Sequence, residues 1–249
     1  YTPFLKSTRI YTKYIKTFSI LSYLDINAVH YIKLIQTQFF KVCIKKMLFD
    51  KLFKFVIHTT SLYNIDESHG ISHSMKVLHH AHNIYTSELP NPELEKQKTI
   101  IYVSSILHDM CDKKYMSEIE GIKCIQEYMQ DDLTEEDLEI TKTIISTMSY
   151  SKVKVNGFPK LGKYQLAYHI VREADLLSAY DIDRCIIYRM HKSGEGFKNS
   201  YMEARELADQ RILTHIKDDL FVTKYSKQLA QTLHDDLISK LSVWESILV

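Results

Sequence analysis

The sequence predicts an all-α fold, and three observations carry that reading. Gly and Pro are scarce, six and four in 249 residues, fewer turn-formers than a sheet-rich chain of this length ordinarily needs. Apolar residues recur at helical spacing through most of the chain. No segment sustains strand alternation, and no internal repeat is present.

Taken in order, residues about 29–62 read as one or two basic helices, with Ile32, Ile35, Phe39, Val42 and Leu48 on their apolar faces. A polar break at Asn64–Gly70 follows. A helix over about 72–87 carries Met75, Leu78 and His82 along one stripe, with Val77 and Ala81 beside it. Pro90-Asn91-Pro92 ends it, and Pro92 suits the first turn of a helix over about 93–111. Another helix is expected near 115–130. Thr134-Glu135-Glu136-Asp137 has the form of a capping box and opens a helix toward Met148. Ser149–Gly162, with two glycines and Pro159, reads as a loop. Helices over about 163–180 and 182–191 come next, then a second loop at Lys192–Gly196. Two amphipathic helices, about 199–218 and 223–246, close the chain.

Hydrophobic residues at 45% and charged residues at 25% are ordinary for a globular chain. The net charge of +1 argues against nucleic-acid binding by the chain as a whole. The charge is uneven, however: residues 1–60 hold ten Lys/Arg against Asp25 and Asp50. We therefore divide the chain into a basic extension, 1–44, and a helical core, 45–249. The extension is expected to be a solvated amphipathic segment, with nucleic acid the less favoured partner. Cys43, Cys111, Cys124 and Cys185 form no CxxC pair, as for free thiols in a reducing, intracellular and cytoplasmic setting. No apolar run approaches the ~20 residues of a membrane span.

The chemistry is signalled by acids in apolar surroundings. His108-Asp109 falls near the end of an apolar helix, where the helix dipole disfavours negative charge. Asp175 stands among Val171, Ser178 and Ala179 at helical spacing. Burying an unpaired carboxylate is costly, and a cation would offset it. With His73, these residues make a mixed nitrogen and oxygen set. Such a set suits one divalent ion among Mn, Fe, Co, Ni and Zn better than Ca, and tolerates Mg. Any one of them alone is more often structural than a ligand; the argument lies in their order and context.

Taken together, these residues resemble the HD-domain superfamily of metal-dependent phosphohydrolases, in particular its small bacterial members that act on nucleotides. The motifs are Ser68-His69-Gly70-Ile71-Ser72-His73-Ser74-Met75-Lys76-Val77, Ile106-Leu107-His108-Asp109-Met110-Cys111-Asp112-Lys113-Lys114-Tyr115, Ser149-Tyr150-Ser151-Lys152 and Glu173-Ala174-Asp175-Leu176-Leu177-Ser178-Ala179. The likeness covers about residues 45–217. The chain departs from the family at Gly70, Lys76 and Leu176, where Asp, Arg and Arg are usual.

The resemblance implies an HD-type helical bundle in which His73, His108, Asp109 and Asp175 hold the metal. Asp112 would orient or deprotonate the attacking water, and Lys114 would act beside it. His69, Lys76 and Lys152 would contact a small phosphorylated substrate, a nucleotide first of all. Family members with two metals carry extra histidines between the His-Asp pair and the last Asp. Only His169 lies there in this chain, so one ion is expected. His215 and His234 are read as surface residues. The alternative is a non-catalytic metal-binding HD module with a regulatory or nucleic-acid-binding role.

Overall fold

The computed structural model describes residues 47–248. The chain divides into two compact units, 1–50 and 51–249. Of the first unit only residues 47–50 are described, and they are helical. The basic extension, 1–44, lies outside the described residues.

The second unit is all-α, with no strand among the described residues. Helix α1 spans 51–62, and a 3-10 turn, Glu67–His69, leads into α2, Ile71–Ser87. Then come α3, Pro92–Lys96, α4, Lys98–Leu107, α5, Glu118–Met129, and α6, Glu135–Thr147. Helix α7 covers Tyr150–Asn156 and α8 covers Gln165–Ser178. Helices α9, Ile182–Ser193, α10, Phe197–Leu207, and α11, Lys224–Leu248, complete the unit.

Helix α4 is the core. Every residue from Ile100 to Leu107 is buried, and α2, α6 and α8 pack around it. The local starts follow the sequence. Asn91 caps α3 through Leu94 N–H at 3.1 Å, with Pro92 in the first turn. Thr134 Oγ1 accepts from Asp137 N–H at 3.1 Å and opens α6. Each cap satisfies a backbone donor that the helix itself leaves unpaired. Gly194 closes α9 in the left-handed conformation, φ 66.

Four expectations are corrected. The single helix over 93–111 is broken in two and stops at Leu107. There the chain tightens: Met110 N–H donates to Leu107 O at 2.9 Å, and the His108 ring takes the Ser105 carbonyl at 2.9 Å. The 149–162 loop contains α7, too short at seven residues for periodicity to reveal. The 199–218 helix ends as α10 at Leu207, followed by a π turn, Ala208–Ile212. On α2 the buried face is His73, Ser74, Val77, Ala81, Ile84 and Tyr85, while Met75 is exposed. Two polar residues occupy the inward face, so hydrophobicity misaligns the stripe.

One close approach bears on the site. Helix α5 crosses the turn after α4 at Gly121, where a Cβ would fall 2.6 Å from Cys111 Cβ and 2.7 Å from Cys111 Cα. Glycine is required there by space.

Candidate metal centre

Three elements bring the four sequence-distant ligand candidates together. His73 is the third residue of α2 and is buried, His108 and Asp109 lie in the turn after α4, and Asp175 stands one turn from the end of α8. His73 Nε2 and His108 Nε2 are 3.1 Å apart. Asp109 Oδ2 lies 3.1 Å from the first and 3.3 Å from the second. Asp175 Oδ1 lies 3.5 Å from both.

These separations have a specific meaning. Ligand atoms about 2.1 Å from a common ion stand about 3.0 to 3.4 Å from each other in octahedral or tetrahedral arrangement. Asp109 Oδ2 approaches both imidazoles closely, yet it is buried and forms no hydrogen bond of acceptable geometry. Asp109 Oδ2 thus keeps its acceptor capacity beside the two imidazoles. His73, His108 and Asp175 form a group whose ligand atoms all lie within 4.8 Å, and Asp109 adds a second oxygen against the same two nitrogens. Both outer ring nitrogens have partners. His108 Nδ1–H donates to Ser105 O at 2.9 Å, which leaves Nε2 a free lone pair. His73 Nδ1 has Ser178 Oγ at 3.4 Å. Such outer contacts select the ligating tautomer. The residues present therefore fit a divalent ion.

The electrostatics agree. Burial alone would neutralise every group, yet Asp109 and Asp175 are held well below the usual carboxylate range by the facing imidazoles. His108 is raised well above the usual imidazole value by the two carboxylates, against its own burial. The carboxylates and His108 thus favour one another's charged forms, and a cation bound among them would act on the carboxylates in the same sense.

Two cavities open beside the four residues. The larger, about 320 Å³, has Asp109, Asp112, Lys114, Asp175, Arg184 and Arg211 in its lining, with Tyr150 and Tyr188. The smaller, about 130 Å³, shares Asp109, Asp112, Lys114, Asp175 and Arg211 with it and adds Lys152 and Glu118.

Asp112 and Lys114 both face these cavities. Asp112 is not on a continuing helix: its Oδ1 accepts from Lys114 N–H at 2.9 Å, and its Oδ2 pairs with Lys114 Nζ at 3.2 Å. Lys114 Nζ also reaches His69 Nε2 at 3.1 Å. His69 is pushed down to about 4, chiefly by burial and further by the Lys114 and Arg184 cations. It is thus neutral, and its Nδ1 meets Ser68 Oγ at 2.7 Å and Tyr115 OH at 3.1 Å. Asp66 anchors this row by accepting from Tyr115 OH and, at 2.9 Å, from Ser68 N–H.

Lys152 lines the smaller cavity, where Nζ donates to Ser146 O at 2.7 Å and pairs with Glu118. Lys76 is not brought into either cavity lining. Its Nζ pairs with Asp181 Oδ2 at 2.5 Å. The sequence reading missed Arg184, Arg211 and Tyr188. Arg184 lies 111 positions from the histidine it touches, and no local pattern marks such a neighbour. It also misplaced His215, which is 1% exposed, with Tyr150 and Tyr180 ring centroids at 5.4 and 5.8 Å. The turn after α10 folds it inward.

No family model and no curated protein matches the chain. A crystal structure of a protein from Lactobacillus plantarum is similar, with a TM-score of 0.61 and 18% identity. The match covers 80% of this chain and 95% of that one. At that identity the likeness shows a shared fold and nothing of what either protein does.

Proposed function

We propose that this chain is a divalent-metal-dependent phosphohydrolase of the HD type, cleaving a phosphate ester or anhydride, of a nucleotide first of all, by attack of water. The observation that carries it is that Asp109 Oδ2 and Asp175 Oδ1 each lie 3.1 to 3.5 Å from His73 Nε2 and His108 Nε2, beside a cavity lined by Lys114, Arg184, Arg189 and Arg211. These four residues would hold one ion, with Mn, Fe, Co, Ni, Zn and Mg as the candidates. When bound, a dication supplies Lewis acidity toward a phosphoryl oxygen and lowers the pKa of water.

The chain's own groups do the rest. Asp112 keeps lone pairs beyond those occupied by Lys114 and can accept a proton from water or orient it. Lys114 and Lys152 offset the charge of substrate oxygens, and neutral His69 holds Lys114 toward the cavity. Lys76, paired with Asp181, stands apart from that set. Among the described residues no helix is long and apolar enough to cross a membrane.

The test is purified protein with Mn²⁺ and a panel of nucleoside mono-, di- and triphosphates. Release of phosphate or pyrophosphate that disappears in Asp109→Ala is the expected result. Metal binding without turnover across the panel would overturn the enzyme and leave a metal-binding module.

A further inference from the structure

We propose that Arg184 is a substrate-binding residue of this centre, whose guanidinium holds the oxyanion, a phosphoryl group or free phosphate, set against the four metal-ligand candidates. The inference rests on the phosphohydrolase reading for the identity of the anion, and on the structure for the residue.

The arginines divide in a telling way. Five lie among the described residues. Arg172 pairs with Glu173 at 3.3 Å, Arg189 with Glu203 at 3.3 Å, and Arg205 with Asp209 at 3.0 Å. Arg184, Arg189 and Arg211 line the larger cavity with Asp109 and Asp175, and of these Arg184 and Arg211 form no ion pair among the described residues. Arg211 lays its guanidinium 4.3 Å from the Tyr150 ring centroid. Arg184 has no such ring contact. The acids near it on the chain are engaged elsewhere: Asp181 takes Lys76 Nζ at 2.5 Å, and Asp183 takes Trp244 Nε1–H at 3.2 Å.

What Arg184 does meet is a metal-ligand candidate. Its Nη1 lies 2.8 Å from His73 Nε2 and also touches Nδ1 of the same ring. A guanidinium only donates. If His73 ligates through Nε2, its Nδ1 carries the proton, with Ser178 Oγ at 3.4 Å as the outer partner. Neither ring nitrogen then offers Arg184 a lone pair. Asp109 and Asp175 line the same cavity but stand against the imidazoles, so a guanidinium with no ion pair of its own keeps donors free for an added anion. A tetrahedral oxyanion that faces both the ion and the fork of Nη groups would take up those donors. It would also collect charge where a phosphoryl group develops it.

The experiment uses the whole chain, loaded with Mn²⁺, and inorganic phosphate as the probe. Mn²⁺ affinity and phosphate affinity are measured separately by calorimetry for wild type, R184Q and R184K, with each variant's Tm as a check on folding. The expectation is phosphate affinity about 10- to 100-fold weaker in R184Q, the range of one charge-assisted hydrogen-bonding group. R184K should recover part of the loss. Mn²⁺ affinity should be equal to wild type or tighter, since a nearby cation has gone. Phosphate binding unchanged in R184Q overturns the proposal. So does a parallel loss of Mn²⁺ affinity in R184Q and R184K, which would make Arg184 a positioning residue for His73. So does a Mn²⁺-loaded wild type that binds no phosphate. Failure of the phosphohydrolase reading looks different: phosphate binds through Arg184, yet no nucleotide in the panel is hydrolysed.

Discussion

Helix α8 carries two carboxylates two residues apart, Glu173 and Asp175, and the surroundings of the two are opposite in kind. Glu173 is fully buried, and protein donors fill its oxygens. Val222 N–H donates to it at 2.7 Å, Thr223 Oγ–H at 2.7 Å, Thr223 N–H at 3.2 Å and Arg172 Nη2 at 3.3 Å. Arg172 in turn donates to Leu220 O at 2.5 Å and lies 4.6 Å from the Phe158 ring centroid. The Glu173 oxygens are filled by these donors, and the cluster ties the entrance of α11 to α8. Asp175 meets two imidazoles and a cavity, with Asp109 Oδ2 buried and unbonded across from it. A buried charge whose every partner is protein belongs to the architecture. A carboxylate 26% exposed to a cavity and set against two imidazoles, with acceptor capacity to spare, is arranged for something else.

Substitution should separate the two clusters. The largest effect is expected at the candidate centre. Asp109→Ala should weaken Mn²⁺ binding by about 1,000-fold or more, because it removes a charged ligand outright. In wild type, Mn²⁺ at about 100 times its Kd should add about 2.7 kcal/mol of stability, and the variant should show no such gain. Melting curves with and without metal report both, and equal gains in the two proteins would sink the assignment.

Next comes Glu173→Gln, expected to cost about 3–5 kcal/mol in chemical denaturation, because it leaves Arg172 buried beside a neutral group. Its Mn²⁺ affinity, measured on the folded fraction, should stay near that of wild type. A selective loss of metal binding would erase the contrast between the two acids.

Gly121→Ala tests whether the turn bearing His108 and Asp109 is held by packing. A Cβ there collides with Cys111 Cβ at 2.6 Å. The expected cost is about 1–3 kcal/mol, together with weaker Mn²⁺ binding. Stability lost without any change at the metal would show that the turn gives way elsewhere.

The smallest effect is a slope. His215 feels both clusters, Asp175 raising and Arg172 lowering its pKa, but burial dominates and pushes it to about 3. It is neutral when folded, whereas the unfolded chain takes up the proton below about 6.5. Its contribution is therefore complete above that pH and is lost as pH falls from about 6.5 toward 3. The loss is at most about 1.4 kcal/mol per pH unit. In His215→Phe, stability by urea denaturation should fall less between pH 7 and pH 5 than in wild type. Identical slopes would assign the acid sensitivity to other groups.

Much was legible before any coordinates. Local signals did well where their physics is local. Thr134 caps α6 because an N-cap side chain reaches only the next few backbone donors. Asp109 and Asp175 were visible because acids among apolar residues demand a partner, and His73 because its surroundings resemble the family motif; the structure groups His73, His108 and Asp175 within 4.8 Å and sets Asp109 Oδ2 3.1 and 3.3 Å from the two imidazoles. Local signals failed where polar residues were recruited inward. On α2, His73 and Ser74 take the buried face that hydrophobicity assigned to Met75 and Leu78. They failed again after Leu107, where a ring-to-carbonyl bond ended a helix that propensity would have continued.

The sequence by itself determined the helical class, most helix starts and the acids in apolar surroundings, Asp109 and Asp175, while His73 entered through the family resemblance. The first three follow from chemistry within a few positions or from the cost of burying a charge. Only the tertiary structure decided what surrounds them. It set Lys76 against Asp181 and outside the cavity linings, closed Asp112 onto Lys114, folded His215 inward, and brought Arg184 against His73. Those outcomes depend on how helices far apart in the chain pack, and side-chain reach across a packed interface leaves no periodic trace along the sequence.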